Sequence, residues 1–507
     1  MIRYKNPIIP GFYPDPSICR AGDDYYLVTS SFEFFPGVPL FHSKDLIHWE
    51  QIGHVLTRKS QLDLTRAGTS EGIWAPTIRY NNGRFYMITT NFSDGGNFYV
   101  WTDDIRGEWS DPVRVEQKGI DPSLFFDDDG TVYLTSKYED GEVQGIGQCT
   151  INIETGEMLS DTRLIWRGSG GKYPEGPHLY KRNGIYYLMI AEGGTEYGHM
   201  VTIARSDSPW GPFESCYRNP ILTHRDTTLD KFQALGHADL IETPRGDCWM
   251  VFHGIRPSQY MLHHLGRETM IAPVTWEPDG WPLVNGGKLI TPEMEVSRVV
   301  SECPVDVPPV CDTFEKENLA PYWSFLRNPV PENYKLNKPG LSLTAGNHTL
   351  NDRGSPTFIG RRQQHFNVSA QTLMDFTPAD EKEKAGITVF HTNEHHYDLL
   401  VTRKNGNRVA LLRKRVGDIE AESVPVILPD QGSILLRIEA TRLIYSFYAG
   451  TCQEDMTLIG EGRTQLLSTE CMVFTFTGCF MGLFAEGGGT ARFQYFIYEP
   501  DGLCENS

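Results

Sequence analysis

The sequence predicts an all-β chain, a five-bladed β-propeller followed by a β-sandwich. Three observations carry this expectation. A unit of about four strands recurs five times before residue 296, at a spacing of roughly 45 to 60 residues. No long amphipathic helix interrupts the series, which excludes a TIM barrel. Beyond it, apolar and polar residues alternate with a period of two, as on half-buried strands.

The repeat is read from PDPSICRAGDDYYLVTSSF, WAPTIRYNNGRFYMITTNF, IDPSLFFDDDGTVYLTSKY, PEGPHLYKRNGIYYLMIAEGG and GHADLIETPRGDCWMVFHGI. Each begins with a small or acidic residue, usually beside proline, and enters a short strand. A turn follows, AGDD, NNGR, DDDG, KRNG or PRGD, and then an aromatic-rich strand. Such turns are hairpin signals, because Gly, Asn and Asp tolerate the left-handed backbone that a tight reversal needs. Closing stretches such as FHSKDLIHWEQIG and VWTDDIRGEWSDPVRV complete each unit. The propeller is assigned to 1–296, and a Pro/Val-rich linker containing SECPVDVPPV to 297–310. A sandwich with segments such as AGITVFHT, YDLLVTR and SILLRIEA is assigned to 311–507.

A length of 507 residues exceeds what one core serves, so two domains are expected. Hydrophobic residues at 39% and charged residues at 22% fit a folded globular chain, and 12% aromatic residues fit both strands and sugar contacts. A net charge of -19 without a basic run excludes nucleic acid as a partner. No segment has the length of apolar sequence that spans a bilayer, and MIRYKNPIIPGFYPDPSI lacks a signal-like apolar stretch. A cytoplasmic protein without membrane partners is expected, with a homo-oligomer left open. Ten scattered cysteines with no Cys-x-x-Cys pair read as reduced core thiols rather than zinc ligands. Sequons at Asn91, Asn347 and Asn367 then carry no meaning, and neighbouring His395 and His396 point to opposite strand faces, as surface or pairing residues rather than a metal site.

In a propeller the first strand of each blade lines the central channel, so residues at the five strand starts converge although they lie far apart in sequence. By the repeat these are Asp15, Ala75, Asp121, Glu175 and His237. Three of the five are acids. Desolvating a carboxylate is unfavourable, so acids gathered in a channel are paired or working. Their proximity also splits their ionisation, leaving one protonated and another basic, as glycoside hydrolysis requires. The competing reading is that Asp15 and Asp121, each followed by Pro and Ser, cap strand entries. The run Asp127, Asp128 and Asp129 is read as a solvated turn.

With Asp15 in GFYPDPSI, Asp121 in GIDPSLF and Glu175 in YPEGPHLY, the chain resembles glycoside hydrolase family 43, of the β-xylosidase and α-L-arabinofuranosidase type. The resemblance implies a five-bladed propeller with a concanavalin-like sandwich. It implies an exo-acting, inverting hydrolase that releases terminal pentose from xylo- or arabino-oligosaccharides. Asp15 is then the general base, Glu175 the general acid, and Asp121 the group that tunes and orients the acid. Arg267 in LGRETM resembles the arginine that bonds sugar hydroxyls, while Phe32 and Trp74 resemble the aromatic walls around the terminal sugar. His237 resembles a histidine beneath the site that contacts a central calcium or water in some relatives. No cofactor is required, and a structural calcium is disfavoured because one imidazole is a poor ligand for that ion. The segment IRPSQYMLHHLGRET is short for a dedicated β-xylosidase, which brings in arabinofuranosidase activity.

Two rivals remain at this level. An invertase-like propeller hydrolase is disfavoured because YPDPSI stands where Asn-Asp-Pro-Asn-Gly is expected. A non-catalytic, lectin-like carbohydrate-binding scaffold is disfavoured by three intact acids.

Overall fold

Each of the five sequence turns closes a hairpin. Gly83 and Gly184 illustrate why, with φ of +87° and +80°, a conformation that carries little penalty only without a side chain. The computed structural model describes residues 2–227, 231–296, 303–305 and 310–500. Most of the expected 297–310 linker lies outside them, as do 501–507.

The hairpins extend into five antiparallel sheets of at least four strands, the blades of a propeller. Their inner strands are Ser17–Ala21, Ile73–Asn81, Ser123–Phe126, Glu175–Arg182 and Gln233–Glu242, in each case the first of the blade. Neighbouring inner strands touch around a closed ring, the fifth against the first. Ile2–Lys5 pairs antiparallel with Glu293–Val296, so the start of the chain fastens the segment that leaves the last blade.

From Cys311 onward two larger sheets face each other across a core that includes Leu343, Ile387, Leu399, Leu436, Phe447 and Leu483. The alternation read from sequence puts these residues inward. The sandwich also packs directly on the propeller. Phe12, Phe32 and Phe34 share one buried cluster with Phe358, Phe390, Phe480 and Phe484, and Phe34 stacks on Phe480 at 4.1 Å. Phe325–Leu326 pairs with Phe34–Phe35 as a short ladder between the domains.

Three expectations change. Asp127 is not solvated: its side chain is 3% exposed and bonds Lys181 Nζ and Tyr186 Oη at 2.6 Å each, because the turn folds back over the neighbouring blade. His396 is fully buried, and its Nδ1 lies 2.8 Å from Asp398, which also accepts from Arg413 Nε at 2.8 Å. His395 is buried too, so neither is a surface residue. Nine cysteines carry free thiols among the described residues; Cys19, Cys149, Cys216, Cys248 and Cys479 are buried, whereas Cys311, Cys452 and Cys471 are exposed.

Candidate active site

All five inner strands carry the same irregularity at the same point. Trp74 pairs with Thr90 and Thr77 with Ile88, so three steps on the inner strand oppose two on its neighbour. Glu175 and His178 oppose Ala191 and Met189, and Gly236 and Asp239 oppose His253 and Val251, in the same way. In the other two blades the amide of Ser30 bonds Pro14 before Ser17 meets Val28, and that of Lys137 bonds Ile120 before Ser123 meets Thr135. This is a β-bulge, which re-aims the side chain it carries. Its left-handed residue is Asp15, Ala75, Asp121, Gly176 and His237 in turn, with φ of 55°, 38°, 56°, 57° and 47°.

The bulge corrects one alignment made from sequence. Gly176, not Glu175, occupies the fourth slot, and Glu175 stands one residue earlier, in register with Trp74. A β-carbon on Gly176 would lie 3.0 Å from Cε1 of His237, so the slot has no room for a carboxylate there. Acid and aromatic wall therefore enter the channel mouth from one register position, the other two acids from the bulge itself.

Asp15 is 5% exposed and both its oxygens are occupied. Ser30 Oγ donates to Oδ2 at 2.6 Å, and Arg267 Nη1 donates to Oδ1 at 2.7 Å. His237 Nδ1 lies 3.7 Å from Oδ1, and the Asp15 amide donates to Nδ1 of His253 at 3.0 Å. Burial pushes this carboxyl up, but the Arg267 guanidinium and then His237 outweigh it and hold it well below the usual carboxylate range. His253 itself is driven down to about 3 by burial and by Arg267, so it is neutral.

The other two acids move the opposite way. Burial, with Glu175 and Asp15 adding and His237 opposing, pushes Asp121 up to about 6. Burial also raises Glu175; Lys137 pulls it back and Asp15 adds to the rise. Asp121 Oδ2 accepts the amide of Gly176 at 3.0 Å, and Lys137 Nζ lies 3.5 Å from Glu175 Oε2. One pocket thus holds an ionised carboxylate and a carboxyl biased toward its proton, the pairing that acid–base hydrolysis needs.

Aromatic rings from both domains wall the pocket. Phe32, 2% exposed, lies 5.8 Å from the Arg267 guanidinium and 6.3 Å from Trp74. Trp74 stacks on Phe92 at 4.1 Å and meets Phe476 edge-on at 5.8 Å. Phe476 belongs to the sandwich, as does Phe474, 6.2 Å from Trp74. Arg267 Nη1 also donates to Thr195 Oγ1 at 2.9 Å.

Residues 4–282 match the model of glycosyl hydrolases family 43, and 311–499 match the β-xylosidase C-terminal concanavalin A-like domain. The chain belongs to glycoside hydrolase family 43. It is 43% identical to a non-reducing end α-L-arabinofuranosidase of Bacteroides ovatus, over 96% of this chain and 92% of that one. It is 39% identical to a xylosidase/arabinosidase of Butyrivibrio fibrisolvens, over 98% of each. A crystal structure of a Bacillus halodurans xylan β-1,4-xylosidase superposes with a TM-score of 0.93 at 34% identity, covering 98% of this chain and 100% of that one. A family 43 chain is a glycosidase, which leaves the lectin-like reading without support. Among the described residues, no group of three or more His, Cys, Asp and Glu side chains is placed to hold a metal.

The structure brings Asp15, Asp121, Glu175, Arg267 and His237 together, with Phe32 and Trp74 beside them. Sequence reasoning missed Lys137, His253, Phe92, Phe474 and Phe476. For two of these a signal existed: Lys137 and His253 stand opposite the pre-bulge residue on the second strand, where Ser30 stands in the first blade. Phe474 and Phe476 had none, since no repeat relates the sandwich to the channel.

Proposed function

We propose that this family 43 enzyme releases single terminal pentoses, α-L-arabinofuranose or β-D-xylose, from the non-reducing ends of oligosaccharides with inversion at the anomeric carbon. The observation that carries the reading is the split ionisation: Asp15 is held charged by Arg267 while Glu175 is biased toward its protonated form in the same pocket. Asp15 takes a proton from water as the water attacks the anomeric carbon. Glu175 gives its proton to the glycosidic oxygen, which leaves with the bonding electrons. Asp121 anchors the backbone beside the acid through the Gly176 amide and so orients it. Arg267 and the Phe32 and Trp74 rings position the sugar, and His237, 3.7 Å from Asp15, supports that carboxylate.

Exo action is supported by the shape of the site. Asp15, Asp121, Arg267 and His237 are each under 10% exposed, and the sandwich rings close over one side, so a chain end fits where a chain interior does not. Both sugars are proposed because the relatives above carry both activities in their names. The free thiols fit a reducing compartment, and a cytoplasmic location, acting on imported oligosaccharides, is proposed with them.

The test compares turnover of 4-nitrophenyl β-D-xyloside and α-L-arabinofuranoside and follows the first anomer released by proton NMR. Inversion yields α-xylose from the β-xyloside. Release of β-xylose first removes the single-displacement reading, and failure on both substrates removes the pentosidase reading.

A further inference from the structure

Glu175 has one cationic neighbour that the reading above leaves without a task. Lys137 comes from Val132–Asp140, the second strand of the third blade, at the position that bonds Ile120 just before the Asp121 bulge. Its ammonium is held from three sides. Glu139 lies 3.2 Å away, Glu175 3.5 Å away, and the Tyr173 ring 5.4 Å away, with Lys172 at 5.5 Å from the same ring. Lys137 and Glu175, at 14% and 17% side-chain exposure, are more open than Arg267 and Asp15, at 8% and 6%.

Lys137 also lines a groove of about 650 Å³ that opens beside the carboxylates rather than over them. Trp74, Phe92, Ile120, Tyr138 and Phe474 form much of its wall. The proton from Glu175 must travel to the leaving oxygen, so the departing saccharide lies on the Glu175 side of the pocket. That is the side on which Lys137 and the aromatic groove lie.

We propose that Lys137 is a positioning and specificity residue for proton delivery: it holds Glu175 and stabilises the carboxylate formed as the proton leaves, at the wall of the groove that receives the departing saccharide. This rests on the reading of Glu175 as the general acid. In the step, the Glu175 O–H bond breaks and its proton joins the glycosidic oxygen. The bond from that oxygen to the anomeric carbon breaks with its electrons remaining on oxygen, while Asp15 receives a proton from the attacking water. Lys137 keeps its own protons throughout. Its contribution is electrostatic, because an ammonium beside a partly buried carboxylate favours the charged form. Burial and Asp15 raise Glu175, and Lys137 limits the rise so that the acid still releases its proton. Arg267 acts in the same direction, and Asp121 and His237 complete the charged surroundings.

The experiment compares wild type with Lys137→Gln and Lys137→Arg over a pH series, on a pentose-terminated oligosaccharide and on a 2,4-dinitrophenyl pentoside. The second substrate has a leaving group that needs no proton. In Lys137→Gln the alkaline limb of kcat/KM is expected to move up by about one pH unit. Turnover of the oligosaccharide falls at least ~10-fold more than that of the dinitrophenyl substrate, and Lys137→Arg restores both. An unmoved limb, or equal losses on the two substrates, overturns the inference. Glu175→Gln separates the two ideas. If it loses the oligosaccharide but keeps the dinitrophenyl substrate while the limb in Lys137→Gln stays put, only the role of Lys137 fails. If Glu175→Gln cleaves the oligosaccharide as wild type does, the acid assignment fails and takes the inference with it.

Discussion

The Asp121 carboxylate accepts the amide of Gly176 at 3.0 Å, so the residue that follows Glu175 is tied to the neighbouring blade. The tie joins two bulge positions, one filled by an acid and one by glycine, and sets the direction from which Glu175 enters the pocket. Asp121 thereby acts on Glu175 through the backbone, while the charge of Glu175 adds to the rise of Asp121.

Replacing Asp121 with Asn keeps a hydrogen-bond acceptor and removes the charge. The activity of Asp121→Asn is expected to fall by ~10²-fold or more. Its stability moves the other way. The native carboxyl sits up at about 6 against an ordinary 3.8, so the native state binds the proton more tightly than the unfolded state. The associated stability is complete below the ordinary value and is lost as pH rises toward 6. Asn removes that loss, by at most about 3 kcal/mol. Melting temperatures at pH 4 and pH 7.5 are expected to diverge in wild type and converge in the variant.

Arg267 holds Asp15 in the opposite direction. A carboxylate lowered in the native state contributes stability above its ordinary pKa and loses it as pH falls through the native value. In Arg267→Ala that contribution disappears and burial dominates. The acid limb of kcat/KM is expected to move up by about 1 to 3 units, and the protein to lose about 3 kcal/mol, measurable by urea unfolding at pH 7. An acid limb at its wild-type position in Arg267→Ala would contradict the ionisation scheme.

Ser70 links the two domains at the sugar wall. It is fully buried, donates its amide to Glu33 Oε2 at 3.0 Å, accepts Trp74 Nε1 on its carbonyl at 2.8 Å, and accepts the Phe476 amide on Oγ at 2.9 Å. Ser70→Ala leaves the Phe476 amide without that partner, worth about 1 to 3 kcal/mol. KM is expected to rise more than kcat falls, since the wall loosens while the carboxylates stay in place.

Gly176 and Gly184 provide a matched pair. Both have positive φ, 57° and 80°, but a β-carbon on Gly176 meets His237 at 3.0 Å whereas one on Gly184 meets nothing within 4 Å. Gly184→Ala is expected to lower stability by about 1 kcal/mol with kcat unchanged. Gly176→Ala displaces His237 or Glu175 as well, so kcat drops along with the melting temperature.

Much of this molecule was legible along the chain. The five turns, the first strand of each blade and the alternation of the sandwich depend on residues within a few positions of one another. Their propensities therefore show in any short window. Asp15 and Asp121 were legible through the same repeat, which puts both at strand starts. The slot of Glu175 was misjudged by one residue because a bulge is a property of two paired strands, and its register is invisible in one of them. Asp127 was misjudged because its partners, Lys181 and Tyr186, are set by packing, and packing also decided for His396 between the surface and pairing roles, by burying it against Asp398.

By itself, then, the sequence determined the architecture and the carboxylates, through local turn chemistry repeated at even spacing. Only the tertiary structure decided what those carboxylates do. Asp15 owes its ionisation to Arg267, 252 residues away in sequence, and the pocket wall joins Ser70 to Phe476 across 406 residues. Electric fields and contacts act through space, and no periodicity along the chain records them.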